Sequence, residues 1–265
     1  MSVNTFLTDL ASSAILSEEE RAGINRSVEA LTKRLQTHFE DKDIKEISVF
    51  GSYSRGTILP RKIDSKSDVD VMIVFADKWA KPQTYLDRLK RFSESQYSTS
   101  EIAQSHPTIV LDLHHIRFEL VPAIDTIFNN LRIPSRSNKT QDWLNTEPAE
   151  FNSKFTQTNL RFSGLIQLLS RLFKIWNIGA DRPLESFDLE QQVVEKNSRR
   201  MTTTKLSALF FETAQWLPDQ VQKGSSQHAK LTRLGDLCRH AQELEKSGYA
   251  DAAVALVTLL FPVDR

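Results

Sequence analysis

With a single cysteine, Cys238, the 265-residue chain has no pair to bridge. That excludes an intramolecular disulfide framework and suits a reducing compartment. No stretch approaches the ~18 consecutive apolar residues that a membrane-spanning helix needs. The opening MSVNTFLTDLASSAIL carries Asp9 within its apolar part and no basic residue ahead of it, which makes a poor signal peptide. Net charge is also missing: 34 Lys and Arg balance 34 Asp and Glu, and the sequence pI is near 7.0. Proteins that grip long nucleic acids usually carry a basic excess, so the balance favours a small or short substrate. No internal repeat and no low-complexity tract is found. These absences describe a soluble, cytoplasmic protein with no membrane partner, long enough for one large domain or two small ones.

What is present changes character along the chain. Residues 4–16 read as a short helix. Ser17 and Glu20 form a capping box for the next helix, which keeps helical spacing through Ile24, Val28, Leu31, Leu35 and Phe39. Asp41 to Asp43 make a polar turn, and Ile44 to Phe50 a strand that Gly51 ends. A short helix is expected from Ser54 to Leu59, stopped by Pro60, then a charged loop and a strand from Val69 to Phe75. Pro82 suits the first turn of a helix running to about Tyr97. Thr108 to Leu113 and Arg117 to Val121 read as strands joined at His114-His115, with Pro122 closing the second. Arg132, Arg136 and Lys139 of the following stretch are expected on a solvated surface. Beyond Phe151 the pattern is helical over 151–177, 187–196, 203–217 and 228–260, the last interrupted near Gly248. The expected fold class is α+β. An α/β half over 1–130 is followed by a linking stretch and a helical half within 131–265.

The chemistry is concentrated in VFGSYSRGTILPRKIDSKSDVDVMIVF, residues 49–75. Gly51-Ser52 lies at a strand-to-helix turn, where backbone N–H groups and the Ser52 hydroxyl can hold phosphate oxygens. Gly51 lets the backbone come close to a ligand. Asp68 and Asp70 stand two apart on a strand and so share a face. Glu119 sits on a later strand among apolar neighbours, where an acid needs a partner. Three carboxylates from adjacent strands would hold two Mg²⁺ ions, with Mn²⁺ as a substitute, and such a pair serves nucleotidyl transfer. Ordinary readings stand beside these. Gly-Ser after a strand is usually only a turn, paired aspartates can be solvated edge charge, and Glu119 can simply pair with Arg117. Jointly, the order of these elements favours the catalytic reading.

GSYSRGT followed by DVDVMIV resembles the polymerase-beta-like nucleotidyltransferase superfamily. FGSYSRGT, SDVDVMIVF and FELVPAI together are similar to the bacterial cyclic-oligonucleotide synthases related to cyclic GMP–AMP synthase. LLSRLFKIWNIGADRPLESFDLEQQV resembles that family's helical lobe through its Lys-x-Trp-Asn and Ser-Phe-x-x-Glu elements. The resemblance covers roughly residues 20–200, and it implies a catalytic core over 1–130, a small mixed sheet with helices, then a helical lobe over 131–265 with an active-site cleft between them. It implies that Ser52 binds the donor's terminal phosphates, that Asp68 and Asp70 ligate both metals, and that Glu119 is the third carboxylate. It further implies that Lys174 reaches the triphosphate, that Ser186 adds a hydroxyl there, and that Phe187 stacks on a base. Glu190 would order the helical lobe. Core packing is the ordinary reading for Phe187, and a solvated helix face for Lys174.

The third acid is usually aspartate in the family, and here it is glutamate. Asp112 is a conceivable substitute, but Glu119 is the acid followed by Pro122. The implied activity is condensation of NTPs, ATP among them, into a cyclic di- or trinucleotide by a monomeric enzyme. The product would signal in antiphage defence to a separate effector protein. Transfer to RNA, protein or a small acceptor, and a catalytically weak nucleotide-binding module, are the alternatives.

Overall fold

The computed structural model describes all residues except 41, 106, 127–129, 136–142, 200–202, 204 and 263–265. Arg136, Lys139 and the Asp41 end of the expected polar turn therefore lie outside the described residues. The chain divides into two units, Leu16–Glu150 and, taken together, Met1–Ile15 with Phe151–Arg265.

Helix α1 (Val3–Ser13) is counted with the second unit. The first unit contains α2 (Glu18–His38), β1 (Ile44–Phe50), α3 (Gly51–Ser54), β2 (Asp68–Phe75), α4 (Pro82–Gln96), β3 (Glu101–Ser105), β4 (Thr108–Leu113), β5 (Ile116–Asp125), β6 (Leu131–Pro134) and β7 (Trp143–Thr146). Helix α5 (Pro148–Arg161) begins at the boundary. The second unit continues with α6 (Leu165–Gly179), α7 (Ser186–Ser198), α8 (Leu206–Trp216), a 3₁₀ turn, α9 (Ser226–Lys246) and α10 (Ala250–Thr258). No helix among the described residues is long and apolar enough to cross a membrane.

The sheet runs β1-β2-β5-β4-β3, with β6 on β5 and β7 on β6. Only β2 and β5 are parallel; the other pairs are antiparallel. Helices α2 and α4 bury their apolar stripes on one face of this sheet. Ile24, Leu31 and Leu35 of α2 and Tyr85, Leu86, Leu89 and Phe92 of α4 pack with Val69, Val71, Ile73, Phe75, Phe118 and Leu120. Both helix starts form as the sequence demands. Ser17 and Glu20 exchange hydrogen bonds in a complete capping box, and Pro82 occupies the first turn of α4. On the other face Met72, Val74 and Ala123 form a small cluster among the described residues, with Phe50, Leu131 and Ile133 against it.

Several features depart from the sequence reading, the added strands β3, β6 and β7 among them. The short helix after β1 spans Gly51–Ser54 rather than Ser54 to Leu59, because it starts directly where the strand ends. Pro122 does not close β5; it pairs in register with Ile73. On the opposite flank, pairing with β4 reaches along β5 as far as Leu120 and pairing with β6 starts at Ile124, so among the described residues a residue without an N–H falls in a gap. The helix expected over 151–177 is broken, since Ser163 and Gly164 take positive φ of 52° and 89°. There the Gly164 N–H closes α5 on the Asn159 carbonyl at 2.9 Å, and the Asn159 side chain accepts from Gln167 N–H at the start of α6. Finally, the sheet unit extends to Glu150 rather than 130, because β6 and β7 add to β5. Helix α1 buries Val3, Leu7 and Ala11, and packs with α6, α8 and α10 of the helical unit.

Candidate active site

The alternation of β2 sorts its residues. Val69, Val71, Ile73 and Phe75 enter the helix-covered core, which leaves Asp68 and Asp70 half-buried on the opposite face. Parallel pairing then sets Asp68 beside Arg117 and Asp70 beside Glu119. On its other side Asp70 is in register with Phe50, the last residue of β1. The chain turns at Gly51, whose φ is +71°. A Cβ there would lie 1.8 Å from Asp70 Oδ2 and 2.7 Å from its Cγ, so the carboxylate occupies the space a side chain would fill. Only glycine allows both the left-handed backbone and this approach.

The turn after Gly51 is fixed from within. The Ser52 carbonyl accepts from Thr57 N–H at 2.9 Å and Ile58 N–H at 3.2 Å, and Ser54 Oγ donates to the Gly51 carbonyl at 2.9 Å. Tyr53 Oη bonds Asn25 Oδ1 of α2 at 2.6 Å. The Ser52 hydroxyl makes no hydrogen bond among the described residues, so it is available to a ligand.

Glu119 is engaged by neighbours on its own face. Arg117 Nη2 donates to Oε1, and Thr108 Oγ1 to Oε2, each at 3.4 Å. Asp112, the substitute considered for the third acid, is held by Arg61 at 3.0 and 3.3 Å. That hydrogen bond keeps the Asp112 carboxyl below the usual carboxylate range, against the opposing effect of its burial. Among the described residues no three metal-ligating side chains are gathered into a ready-made cage. The donor set nevertheless fits hard divalent cations. Asp68, Asp70 and Glu119 offer only carboxylate oxygens, from one face of adjacent parallel strands.

The candidates of the helical unit form a separate group. Lys174 lies in α6, buried nearly all round, and its Nζ is 2.5 Å from Glu190 Oε1 of α7. Their side chains are 8% and 1% exposed, so Lys174 is not on a solvated helix face. Asn177, one turn further on, donates to the Leu184 carbonyl at 2.8 Å and accepts from Leu184 N–H at 3.1 Å. This clamps the loop that leads into α7, where Ser186 and Phe187 are exposed in the first turn. Phe187 is 47% exposed, its ring edge-on to Phe151 with centroids 5.1 Å apart, so core packing does not account for it. The clamping role of Asn177 escaped the sequence reading, although the residue lies within the Lys-x-Trp-Asn element. A bond to a backbone group in a later loop leaves no periodic trace.

Residues 1–159 match the sequence model of the Second Messenger Oligonucleotide or Dinucleotide Synthetase domain. A probable cyclic nucleotide synthase of Bacillus cereus (strain VD146) is 27% identical over 190 residues, 57% of this chain and 55% of that protein. The match thus spans about half the length of this curated relative. Among solved structures, Escherichia coli MS115-1 CdnC with ATP superposes with a TM-score of 0.73 at 11% identity, covering 98% of this chain and 96% of that one. The Bradyrhizobium diazoefficiens CD-NTase CdnG in complex with GTP gives 0.72 at 12% identity, covering 97% and 98%. At these identities the likeness is one of fold: a mixed sheet with helices of the polymerase-beta-like nucleotidyltransferase type, as expected.

Proposed function

The chain belongs to the Second Messenger Oligonucleotide or Dinucleotide Synthetase family, and from that premise we propose that it condenses nucleoside triphosphates into a cyclic di- or trinucleotide with release of pyrophosphate. The observation that carries the proposal is the contact of the Gly51 turn with Asp70, with Glu119 in register beside it. It joins a phosphate-holding turn to a row of carboxylates within one local structure. CdnC was solved with ATP and CdnG with GTP, which supports nucleoside triphosphates, ATP among them, as substrates.

In this reading Asp68, Asp70 and Glu119 would hold two Mg²⁺ ions, or Mn²⁺ in their place. When bound, the metal neutralises phosphate charge and lowers the pKa of the acceptor hydroxyl. The Gly51-Ser52 turn orients the donor's terminal phosphates, the Ser52 hydroxyl donating to a phosphate oxygen. Glu119 assists removal of the proton from the acceptor's ribose hydroxyl. That oxygen forms a new bond to the donor's α-phosphorus, and the bond from the same phosphorus to the β-phosphate's bridging oxygen breaks. For a dinucleotide a second attack of the same kind, within the linear product, closes the ring; for a trinucleotide a further nucleotide is joined before the closing attack.

Ser186 and Phe187 are proposed as nucleotide contacts, which their exposure permits. The triphosphate contact stands as the proposed role of Lys174 on the resemblance of its Lys-x-Trp-Asn element to the family's helical lobe. We further propose that the enzyme acts as a cytoplasmic monomer and that its product activates an effector protein in antiphage defence, a role that rests on the family resemblance. Incubation with labelled NTPs and Mg²⁺ or Mn²⁺, followed by phosphatase, tests the reaction class. Label in small phosphatase-resistant products supports it; label on macromolecules, or no pyrophosphate release with either metal, contradicts it.

A further inference from the structure

The carboxylate face of the sheet carries its own cation. Arg117 is flanked in register by Asp68 on β2 and Asp112 on β4, and Glu119 follows two residues later on the same face. The two arginine–carboxylate pairs here differ in kind. Arg61 grips Asp112 through both guanidinium nitrogens at 3.0 and 3.3 Å. Arg117 reaches Glu119 through one nitrogen and one oxygen at 3.4 Å, the long end of hydrogen bonding, and its buried Nε has no hydrogen-bond partner among the described residues. The first is a fixed bidentate fork; the second is a loose, single contact with a donor to spare.

We propose that Arg117 is the resident counter-cation of Glu119 in the metal-free protein, and that Glu119 exchanges the guanidinium for metal when the site is loaded. The inference rests on the metal-binding role proposed above for Asp68, Asp70 and Glu119. Like charges at adjacent sheet positions repel, so without metal the acids gain from a nearby positive charge. Once metal is bound, that same guanidinium is a like-charge neighbour of the cation. The exchange also gives a reason for glutamate at this position. Its extra methylene lets one carboxylate turn either to a guanidinium two residues back on its own strand or to Asp70 across the strand pair.

Two effects of opposite sign follow. Arg117→Gln lowers the melting temperature of the metal-free protein, yet tightens Mn²⁺ binding by about three- to tenfold, the effect of removing one partly screened positive charge. A merely structural role for Arg117 would weaken both. The measurement is titration calorimetry of the full chain with Mn²⁺ alone, beside a thermal melt without metal. Arg117→Lys, which keeps the charge, is expected within about twofold of wild type, and in a Glu119→Gln background most of the tightening disappears. Unchanged or weaker Mn²⁺ binding by folded Arg117→Gln overturns the exchange. Should Arg117→Gln fail to fold, Arg117→Lys decides, since a large change in its Mn²⁺ affinity overturns the exchange. The underlying metal reading is checked separately: if Asp68→Asn with Asp70→Asn binds Mn²⁺ as wild type does, that reading fails and the exchange falls with it.

Discussion

Lys174→Met is the perturbation whose consequence the structure defines most sharply. Its ammonium lies 2.5 Å from Glu190 Oε1, with 8% and 1% of the two side chains exposed. Removing the ammonium leaves the Glu190 carboxylate without this partner in a site nearly closed to water. Breaking such a pair from one side costs about 3–5 kcal/mol, because a buried charge loses its compensation. With a urea dependence of about 2 kcal/mol per molar, the unfolding midpoint falls by about 1.5–2.5 M. The double variant Lys174→Met with Glu190→Leu removes both charges and refills the volume with apolar atoms. Such replacements are neutral or stabilising by about 1–4 kcal/mol, so the double variant recovers the wild-type midpoint or exceeds it. Urea unfolding followed by far-UV circular dichroism at pH 7 reads both. A single variant with the wild-type midpoint, or a double variant less stable than Lys174→Met, would refute the description of a buried, desolvated pair joining α6 to α7.

Gly51→Ala places a Cβ where the Asp70 carboxylate lies and forces a left-handed backbone on an L-residue. The backbone alone costs about 1–2 kcal/mol. Displacement of Asp70 lowers pyrophosphate release by about a hundredfold or more, whereas an unchanged rate would show that the turn and the acid are not coupled. Asp112→Asn tests the Arg61 pair. The hydrogen bond from Arg61 depresses the folded-state pKa of Asp112, so its stabilising contribution is fully present above the unfolded value of about 3.9 and is lost as pH falls through the folded value. The variant is less stable by about 0.5–1 kcal/mol at pH 7. Urea midpoints of the two proteins converge as the pH falls through that folded value, and a gap that persists once the carboxyl is protonated contradicts the assignment.

Local rules made much of this structure legible in the sequence. The Ser17–Glu20 capping box, Pro82 at the start of α4, the His114-His115 turn and the break at Gly248 each involve residues a few positions apart. Period-two alternation put Asp68 and Asp70 on one face because their neighbours Val69 and Val71 must be buried. What escaped depends on partners distant in the chain. Strand β3, EIAQS, is short, polar and mostly exposed, and it exists by pairing with β4. The four-residue β6 and β7 depend on β5, and their pairing moves the unit boundary. Pro122 sits inside a strand because one flank is unpartnered there among the described residues, which no local pattern encodes. The Lys174–Glu190 pair, likewise, joins two helices that the sequence presents as separate amphipathic runs. The candidate acids were readable as types and spacings; the contact of Arg117 with Glu119 was readable only as the rival to a metal role.

The most direct test of the central claim is the mass of the product. Wild-type protein incubated with ATP and the other NTPs in Mg²⁺ or Mn²⁺, then treated with phosphatase, is expected to give a species resistant to phosphatase. Its mass is the sum of two or three nucleoside monophosphates less one water per linkage, ring closure included. Asp68→Ala combined with Asp70→Ala is expected to give none while retaining the wild-type circular dichroism spectrum. A linear product, label carried on a macromolecule, or the same yield from the double variant would contradict the account.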